Sequence, residues 1–424
     1  MFKGIFNKKD SLVRDNFILV TTSMFGNAAA FLFHIFMARF LGSVDYGILG
    51  VLLSIIYLIA VPLLVIQTVI AKFISQYKAK EEQDKINLLL RRSSIKFIKY
   101  SAVFFIISLL LIPFLSKFLY IPKLNFLVLS PIIFLATLIP IGRGALQGLQ
   151  EFKVLGYNII TEAFLKLIFG VLLVFLGLAV NGAILAIILS FIFPVVLLYY
   201  KLKKYLETTK GQTNLNIKEI YSNSYAVLFT LLTLTLFYTI DLFLVKHYFS
   251  GTEAGLNATA SLLGKIIYFA SLAIVLVMFP KTTELFTINK PSSKILIKSL
   301  IFILLIAMPV LLIYFLLPEY AILILGGEEY LPISNLLGLF GLAMTFFTLS
   351  YTLAFYNLSI NKTSFIYGLI ILNIVETLAI YLFHSTIKEV VIILNIITLV
   401  SLLYLGGYTI KNLNGKFINN NTGA

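Results

Sequence analysis

Apolar runs of about 20 residues, separated by short polar breaks, dominate this chain of 424 residues. A helix of that length crosses the ~30 Å hydrocarbon core of a bilayer and satisfies its own backbone polar groups there. Only 12% of the residues are charged, whereas a soluble domain carries roughly 25%, and the mean hydropathy is +1.01. We therefore expect an all-α polytopic membrane protein.

The apolar runs predict about twelve transmembrane helices. The predicted spans are 16–38, 47–71, 97–119, 126–147, 158–178, 180–200, 224–249, 255–280, 297–317, 333–357, 363–384 and 389–410. A tight turn containing Asn181 and Gly182 is predicted between the fifth and sixth spans.

Lys and Arg concentrate in the N-terminal tail and in segments 72–96, 201–223 and 281–298. By the positive-inside rule we expect a protein of the cytoplasmic membrane with both termini in the cytoplasm.

The polar segment 206–223 predicts a cytoplasmic linker between two six-helix lobes, residues 1–205 and 224–424. Similar patterns occur in both lobes: a cation, an acid and a glycine surround the outer loop after the first and the seventh span. The residues to which we assign a structural role in these outer loops are Arg39, Asp45, Gly47, Glu253 and Gly255. A second correspondence joins Asn158–Glu162 with Asn373–Glu376. Duplicated six-helix units of one orientation are typical of secondary transporters.

Ionisable residues inside spans are candidates for function, because a charge in hydrocarbon is costly. Lys265 lies near the middle of its predicted span without a nearby acid in sequence, so it needs a partner helix, an aqueous cavity or an anionic ligand. Together with Arg143 and Lys166 it gives a cationic set that suits a diphosphate in a central cavity. The candidates for coupling to H⁺ or Na⁺, or for charge partners, are His34, Asp241 and Glu162.

Each of these residues also has a structural interpretation. Glu162 and Lys166, four residues apart, can neutralise each other on one helix face. Arg143 can extend to the cytoplasmic head groups. His34 can be a hydrogen-bonded packing residue, and Asp241 can form a salt bridge to another helix.

The composition limits the possible chemistry. The chain has no Cys and three His, so we expect neither thiolate clusters nor a His-based metal site. No Walker-type phosphate loop is present, which argues against an ATP motor in this chain. We therefore expect no cofactor, no metal and no catalytic residues. The formal charge of +15 is interpreted as cytoplasmic-loop Lys and Arg rather than as a nucleic-acid surface.

Several motifs, in order along the chain, resemble those of the polysaccharide and oligosaccharide flippases (Wzx-like) of the multidrug/oligosaccharidyl-lipid/polysaccharide exporter superfamily. They are Met37–Gly47, Arg143–Gly148, Asn181–Ala186, Asp241–Val245, Ala254–Gly255, Phe279–Pro280 and Gly327–Tyr330. The resemblance covers nearly the whole chain.

The resemblance implies two six-helix lobes that form a V around a central cavity. It also implies that a polyprenyl- or dolichyl-diphosphate-linked oligosaccharide moves to the outer leaflet by alternating access. Arg143, Lys166 and Lys265 would then hold the diphosphate. The expected partners are this substrate, membrane lipids, H⁺ or Na⁺, and enzymes of glycan assembly.

Two alternatives stay open at this point. A cation-coupled multidrug antiporter of the same superfamily predicts a cavity dominated by acids. A membrane glycosyltransferase or polymerase predicts a large polar extramembrane loop, and the outer loops of this chain are short. A lipid scramblase or a structural partner of a glycan complex is a further possibility.

Overall fold

The computed structural model describes residues 11–206, 225–287 and 290–421, and the regular structure in these ranges is helical. The main helices, numbered here in chain order, are α1 (Ser11–Ala79), α2 (Gln83–Leu119), α3 (Lys123–Leu129), α4 (Ile132–Gly148), α5 (Phe152–Leu173), α6 (Ala179–Leu202), α7 (Tyr225–Phe237), α8 (Ile240–Tyr248), α9 (Gly251–Thr287), α10 (Ser293–Leu316), α11 (Pro318–Leu325), α12 (Leu337–Ser359), α13 (Phe365–Leu382) and α14 (Ile387–Asn421). Short helical turns cover Val174–Leu178, Lys203–Tyr205 and Glu328–Leu336.

Ten helical runs within the described residues are long and apolar enough to cross a membrane. Two of them, Phe25–Lys78 and Phe152–Tyr205, contain 54 residues each, which corresponds to roughly 80 Å of helix and to two crossings. The first run is interrupted at Gly42, where φ is 72°, and the second at Gly177, where φ is 85°. The predicted all-α polytopic fold is confirmed, while the side on which the termini lie stays a prediction.

The chain forms two compact units. Unit 1 consists of Met1–Leu41 and Ile55–Tyr225, and unit 2 consists of Gly42–Ser54 and Ala226–Ala424. Helix α1 therefore contributes its central residues to unit 2. The predicted linker 206–223 lies outside the described residues from position 207 onward, so its role and the lobe boundaries stay predictions.

The basic segment between the second and third predicted spans is largely helical in the structure. Helix α1 continues to Ala79 and α2 starts at Gln83, so most of segment 72–96 is helical. Lys, Glu, Gln and Leu favour helix, and charged residues can continue a helix beyond the apolar part of a span. Lys78 Nζ also donates to the Leu149 carbonyl oxygen at 2.6 Å, which ties the end of α1 to the end of α4.

The predicted turn at Asn181 and Gly182 is wrong. The left-handed residues are Gly177 and Ala179, and the Asn-Gly pair lies inside the start of α6. Gly182 serves close packing instead, because a Cβ there would lie 3.0 Å from the carbonyl carbon and oxygen of Leu173. An Asn-Gly pair signals a turn only where the surrounding helices leave room for one.

Different helices form the centre of each unit. In unit 1, α6 packs along α5 and α4, and α2 packs on α4. In unit 2, α12 packs against α9, α10 and α14, and most of its side chains are buried. Aromatic side chains join α12 to α9, with ring centroids 5.2 Å apart for Tyr268 and Phe347 and for Tyr268 and Tyr351.

Candidate functional site

A break in a spanning helix places a carboxylate inside unit 2. Helix α7 ends at Phe237 and α8 begins at Ile240, while the Thr239 hydroxyl donates to the Thr235 carbonyl oxygen at 2.9 Å. Asp241 lies in the first turn of α8 and is 1% exposed. The free N–H groups at a helix N-terminus favour negative charge, so the break provides part of the environment that a buried aspartate needs.

Helix α9 supplies the groups that face this carboxylate. Asn257, Ser261 and Lys265 are spaced by four residues and so share one helix face. The Asn257 amide donates to Asp241 Oδ2 at 3.5 Å. Ser261 and Asp241 line a small cavity of about 10 Å³ together with Thr398 of α14, which is room for about one water molecule.

Lys265 is enclosed in unit 2, with 4% of its surface exposed. Its Nζ lies 5.4 Å from the centroid of the Tyr238 ring, a cation–π contact, and the ammonium interacts electrostatically with Asp241. Among the described residues, no carboxylate oxygen forms a salt bridge with it. Lys265 therefore has a counter-charge nearby but no direct ionic contact.

A second buried acid lies beside this group. Glu376 of α13 is 0% exposed, and neither of its carboxylate oxygens has a hydrogen-bond partner among the described residues. It interacts electrostatically with Asp241. Asn373, one turn earlier, donates to the Thr233 carbonyl oxygen at 3.2 Å and ties α13 to α7.

Glu376 was not among our predicted site residues, although the sequence contained the feature that could have identified it. It is an ionisable residue inside the predicted span 363–384, and the sequence reasoning used it only to support the internal repeat. The rule that selected Asp241 also applies to Glu376. The acid cluster, as we call Asp241 and Glu376, is thus partly predictable from the sequence.

Arg143 joins three helices of unit 1. Its Nε donates to Asn158 Oδ1 at 2.7 Å, and its Nη2 forms a 2.5 Å salt bridge with Glu162. The Asn158 amide in turn donates to the Pro194 carbonyl oxygen at 3.0 Å, so α4, α5 and α6 share one polar network. The salt-bridge partner of Glu162 is Arg143 rather than Lys166, the partner suggested by the four-residue spacing.

We expect Arg143→Lys to lower the thermal stability of the protein. Lysine cannot reproduce a fork that contacts Asn158 and Glu162 together, and a lost charge-assisted hydrogen bond costs about 1.5–3 kcal/mol. Thermal unfolding in detergent micelles measures the change. Arg91→Lys, at an exposed position of α2, is the matched control, and equal midpoints for the two variants would contradict a structural role of Arg143.

Lys166 is the other cation inside a span of unit 1. It is half-buried, and its Nζ lies 5.1 Å from the centroid of the Phe33 ring. Gly170, one turn later, leaves room for that ring, because a Cβ there would lie 2.7 Å from Phe33 Cε2. Glu162 interacts with Lys166 electrostatically, yet no salt bridge joins them within the described ranges. His34 is half-buried beside the same ring, at 5.6 Å between centroids.

The predicted outer-loop residues form two kinds of contact. Asp45 interacts electrostatically with Lys246 of α8, and a Cβ on Gly47 would lie 2.8 Å from the Gly255 backbone nitrogen. Glu253 accepts from the Ser250 backbone N–H at 3.1 Å, while Ser250 Oγ accepts from the Glu253 N–H at 3.3 Å. This reciprocal pair is a capping box at the start of α9.

The predicted site residues are therefore distributed over the two units. Unit 1 contains His34, Arg39, Arg143, Glu162 and Lys166, and unit 2 contains Asp45, Asp241, Glu253 and Lys265 together with Gly47 and Gly255. Within unit 1, Arg143, Glu162 and Lys166 form one charged group. Within unit 2, Lys265 and Asp241 form another, which Glu376 extends. The functional roles assigned to these residues stay predictions.

Comparison with known proteins gives a family match and a remote relative. The model of a family described as polysaccharide biosynthesis protein matches residues 36–335. An uncharacterized membrane protein of Methanocaldococcus jannaschii is 25% identical over 296 residues, which are 65% of this chain and 68% of that protein.

Solved structures share the fold over nearly the whole chain. An inward-facing multidrug resistance MATE transporter of the MOP superfamily matches with a TM-score of 0.77 and 14% identity, over 96% of this chain and 99% of that one. The lipid II flippase MurJ, in an inward closed conformation, matches with a TM-score of 0.71 and 14% identity, over 95% of this chain and 90% of that one. A MOP superfamily transporter from Pyrococcus furiosus matches with a TM-score of 0.70 and 17% identity, over 95% of this chain and 96% of that one. At these identities the likeness concerns the fold.

Proposed function

Because the chain belongs to the polysaccharide biosynthesis protein family, we propose that it is a flippase for a lipid-diphosphate-linked oligosaccharide. It is a multi-pass membrane protein with the fold of MOP transporters and flippases, in line with the Wzx-like motifs. The substrate would carry a polyprenyl or dolichyl chain and cross the cytoplasmic membrane by alternating access, for the synthesis of cell-surface polysaccharide or glycan. The activity is transport and not an enzymatic reaction.

The observation that carries the proposal is the environment of the Lys166 ammonium group. Its ammonium lies in a spanning helix, rests on the Phe33 ring and has no salt-bridge partner among the described residues. An ammonium has three donors, and an aromatic face does not satisfy them all. A diphosphate offers several charged acceptor oxygens, so it fits a cation that forms no salt bridge within the described residues.

Arg143 and Lys265 are the further cations proposed for the diphosphate. Arg143 is held next to Lys166 through their common neighbour Glu162, so it adds positive charge at the same place. Lys265 is nearly fully buried, and we assign it contact with substrate only in a state of the cycle that exposes it. A lipid-linked substrate is also what the fold-related MurJ moves, as a lipid II flippase.

The energy for transport is proposed to come from an ion gradient, since the chain has no Walker-type motif. Buried acids in membrane helices are common sites of coupling to H⁺ or Na⁺. Asp241 and Glu376 in unit 2 fit this role, and His34 in unit 1 is the other candidate. Enzymes that assemble the glycan are proposed as partners, because they would deliver the substrate on one side and use it on the other.

A cation-coupled multidrug antiporter is the second candidate function. The buried pair of acids Asp241 and Glu376 favours it, since an organic cation needs carboxylates. The excess of cations in unit 1 speaks against it. A dye-efflux assay in proteoliposomes separates the two functions, because a drug antiporter moves cationic dyes and a diphosphate flippase does not.

We expect Lys166→Gln to reduce flipping at least about tenfold, the effect of losing one charge-assisted contact of about 1.5 kcal/mol or more. The assay reconstitutes the full chain in liposomes with a labelled polyprenyl-diphosphate oligosaccharide. Access of an external glycosidase to the sugar reports its movement. Lys201→Gln, at an exposed lysine of the same unit, is the matched control and should retain wild-type flipping.

Two results would oppose the proposal in different ways. Wild-type flipping by Lys166→Gln would remove that residue from the diphosphate site. Failure of the wild-type protein to move the substrate, with or without an H⁺ or Na⁺ gradient, would oppose the flippase itself. Dye efflux by the same proteoliposomes would then favour the antiporter.

A further inference from the structure

Unit 2 contains buried acceptor oxygens without hydrogen-bond partners among the described residues. They include Asp241 Oδ1, Asn257 Oδ1, Asn373 Oδ1 and both carboxylate oxygens of Glu376. Asp241 and Glu376 are 1% and 0% exposed and interact electrostatically with each other. Unpaired buried oxygens are costly unless a proton, a cation or a water molecule satisfies them.

Carboxylate and amide oxygens are the ligands that hard metal ions prefer, so these oxygens alone would favour Na⁺. Lys265 changes the charge balance. It lies on the α9 face that also presents Asn257, and its ammonium interacts electrostatically with Asp241. The cluster therefore already contains one positive charge beside its first carboxylate.

Two carboxylates and one ammonium leave a single negative charge to be neutralised. A metal cation bound to Asp241 would meet the Lys265 ammonium in a medium of low dielectric, where like charges repel strongly. A proton on Glu376 removes the remaining charge without adding a second cation. It also turns a carboxylate without partners into a neutral carboxyl group, which costs less to bury.

The other groups around the cluster do not alter this balance. Tyr238 precedes α8, and Tyr268 and Tyr351 come from α9 and α12; phenols are neutral at pH 7. The neighbouring α14 presents Thr398 to the cavity beside Asp241, and a threonine hydroxyl does not titrate. Among the described residues, the charges that count are those of Asp241, Lys265 and Glu376.

We propose that Lys265 makes the acid cluster a site for one proton and excludes Na⁺ from it. The assignment rests on the ion coupling proposed above and specifies its ion. Lys265 acts as a selectivity-determining residue: with its charge removed, the same oxygens become a site for Na⁺. Its effect can be measured as equilibrium binding, without transport.

The experiment compares thermal unfolding of the purified full-length protein in NaCl and in choline chloride at equal ionic strength. A ligand that binds only the folded state raises the unfolding midpoint. The wild-type protein is expected to have the same midpoint in both salts. Lys265→Gln is expected to gain a saturable, Na⁺-specific rise of a few degrees.

Two further variants locate the effect. Lys166→Gln removes a spanning lysine from the other unit and should remain insensitive to Na⁺. Lys265→Gln combined with Glu376→Gln should lose the Na⁺-specific rise, because one of the two carboxylates is gone. Lys265→Met, which keeps the apolar stem of the lysine, replaces Lys265→Gln if the glutamine variant does not fold.

A Na⁺-specific rise in the wild-type protein would overturn the proposal, and so would a folded Lys265 variant without one. These outcomes are independent of the proposed flipping activity. If the wild-type protein fails to move the lipid-linked oligosaccharide but the Na⁺ responses follow the expected pattern, the substrate is wrong and the ion selectivity stands. If flipping occurs and the Na⁺ pattern fails, only the selectivity is lost.

Discussion

Gly255→Ala is expected to destabilise the folded protein strongly and to lower its yield. A Cβ at this position would overlap the carbonyl oxygen of Ser43, and a backbone atom cannot move aside as a flexible side chain can. The Ser43 N–H also donates to Glu329 Oε1 at 2.9 Å, so the backbone at Ser43 is fixed by a second contact. Relief of the overlap would separate groups that unit 2 packs tightly.

The size of the effect follows from overpacking, which costs typically 1–3 kcal/mol and more where backbone must shift. We expect a loss at the upper end, about 3 kcal/mol, measured as monodisperse protein on size-exclusion chromatography and as the unfolding midpoint. Gly406→Ala is the matched control, since a Cβ at this helical glycine would meet no atom within 4 Å. Equal yields and midpoints for the two variants would show that the contact between Ser43 and Gly255 is not tight in the folded protein.

The sequence predicts this region only in part. The repeated pattern of cation, acid and glycine marks Gly47 and Gly255 as structural residues, but it does not say that they meet. Their contact joins positions more than 200 residues apart, so local propensity carries no information about it. Hydropathy likewise places Gly42 between two spans, and the structure has a non-helical residue there, but hydropathy does not show that helix continues up to Gly42 on both sides.

For the charged residues, the sequence predicts burial but not the salt-bridge partners. Burial of Asp241 and Lys265 follows from their place inside apolar spans, and the structure agrees. The partner of Glu162 does not follow, because the four-residue spacing suggests Lys166 whereas the tertiary structure supplies Arg143. Spacing within one helix gives the candidates for a contact, and packing between helices selects among them.

Lys265→Met is expected to destabilise the protein, and Asp241→Asn in the same chain is expected to restore most of the loss. Removing one member of this buried pair of opposite charges leaves the other without its nearby counter-charge. Breaking a directly bonded buried ion pair costs about 3–5 kcal/mol, and we expect a loss below that range because no salt bridge joins Lys265 and Asp241 within the described residues. Replacing both members removes both charges, and the amide introduced in place of the Asp241 carboxylate keeps an oxygen that accepts from Asn257. Unfolding midpoints of the wild-type protein, the two single variants and the double variant give the coupling between the positions.

Flipping by the same four proteins separates stability from function. If Asp241 takes part in ion coupling, the double variant should fold well and still fail to use an ion gradient. If Lys265 served only to bind the diphosphate, the effect of Lys265→Met on stability would not depend on Asp241. The changes in stability of the two single variants would then add up to that of the double variant. Additive changes in stability would therefore contradict the charge balance between Lys265 and Asp241 on which the proposed proton selectivity depends. Strong coupling with restored folding would establish that Lys265 and Asp241 act on each other inside one unit, before any substrate is bound.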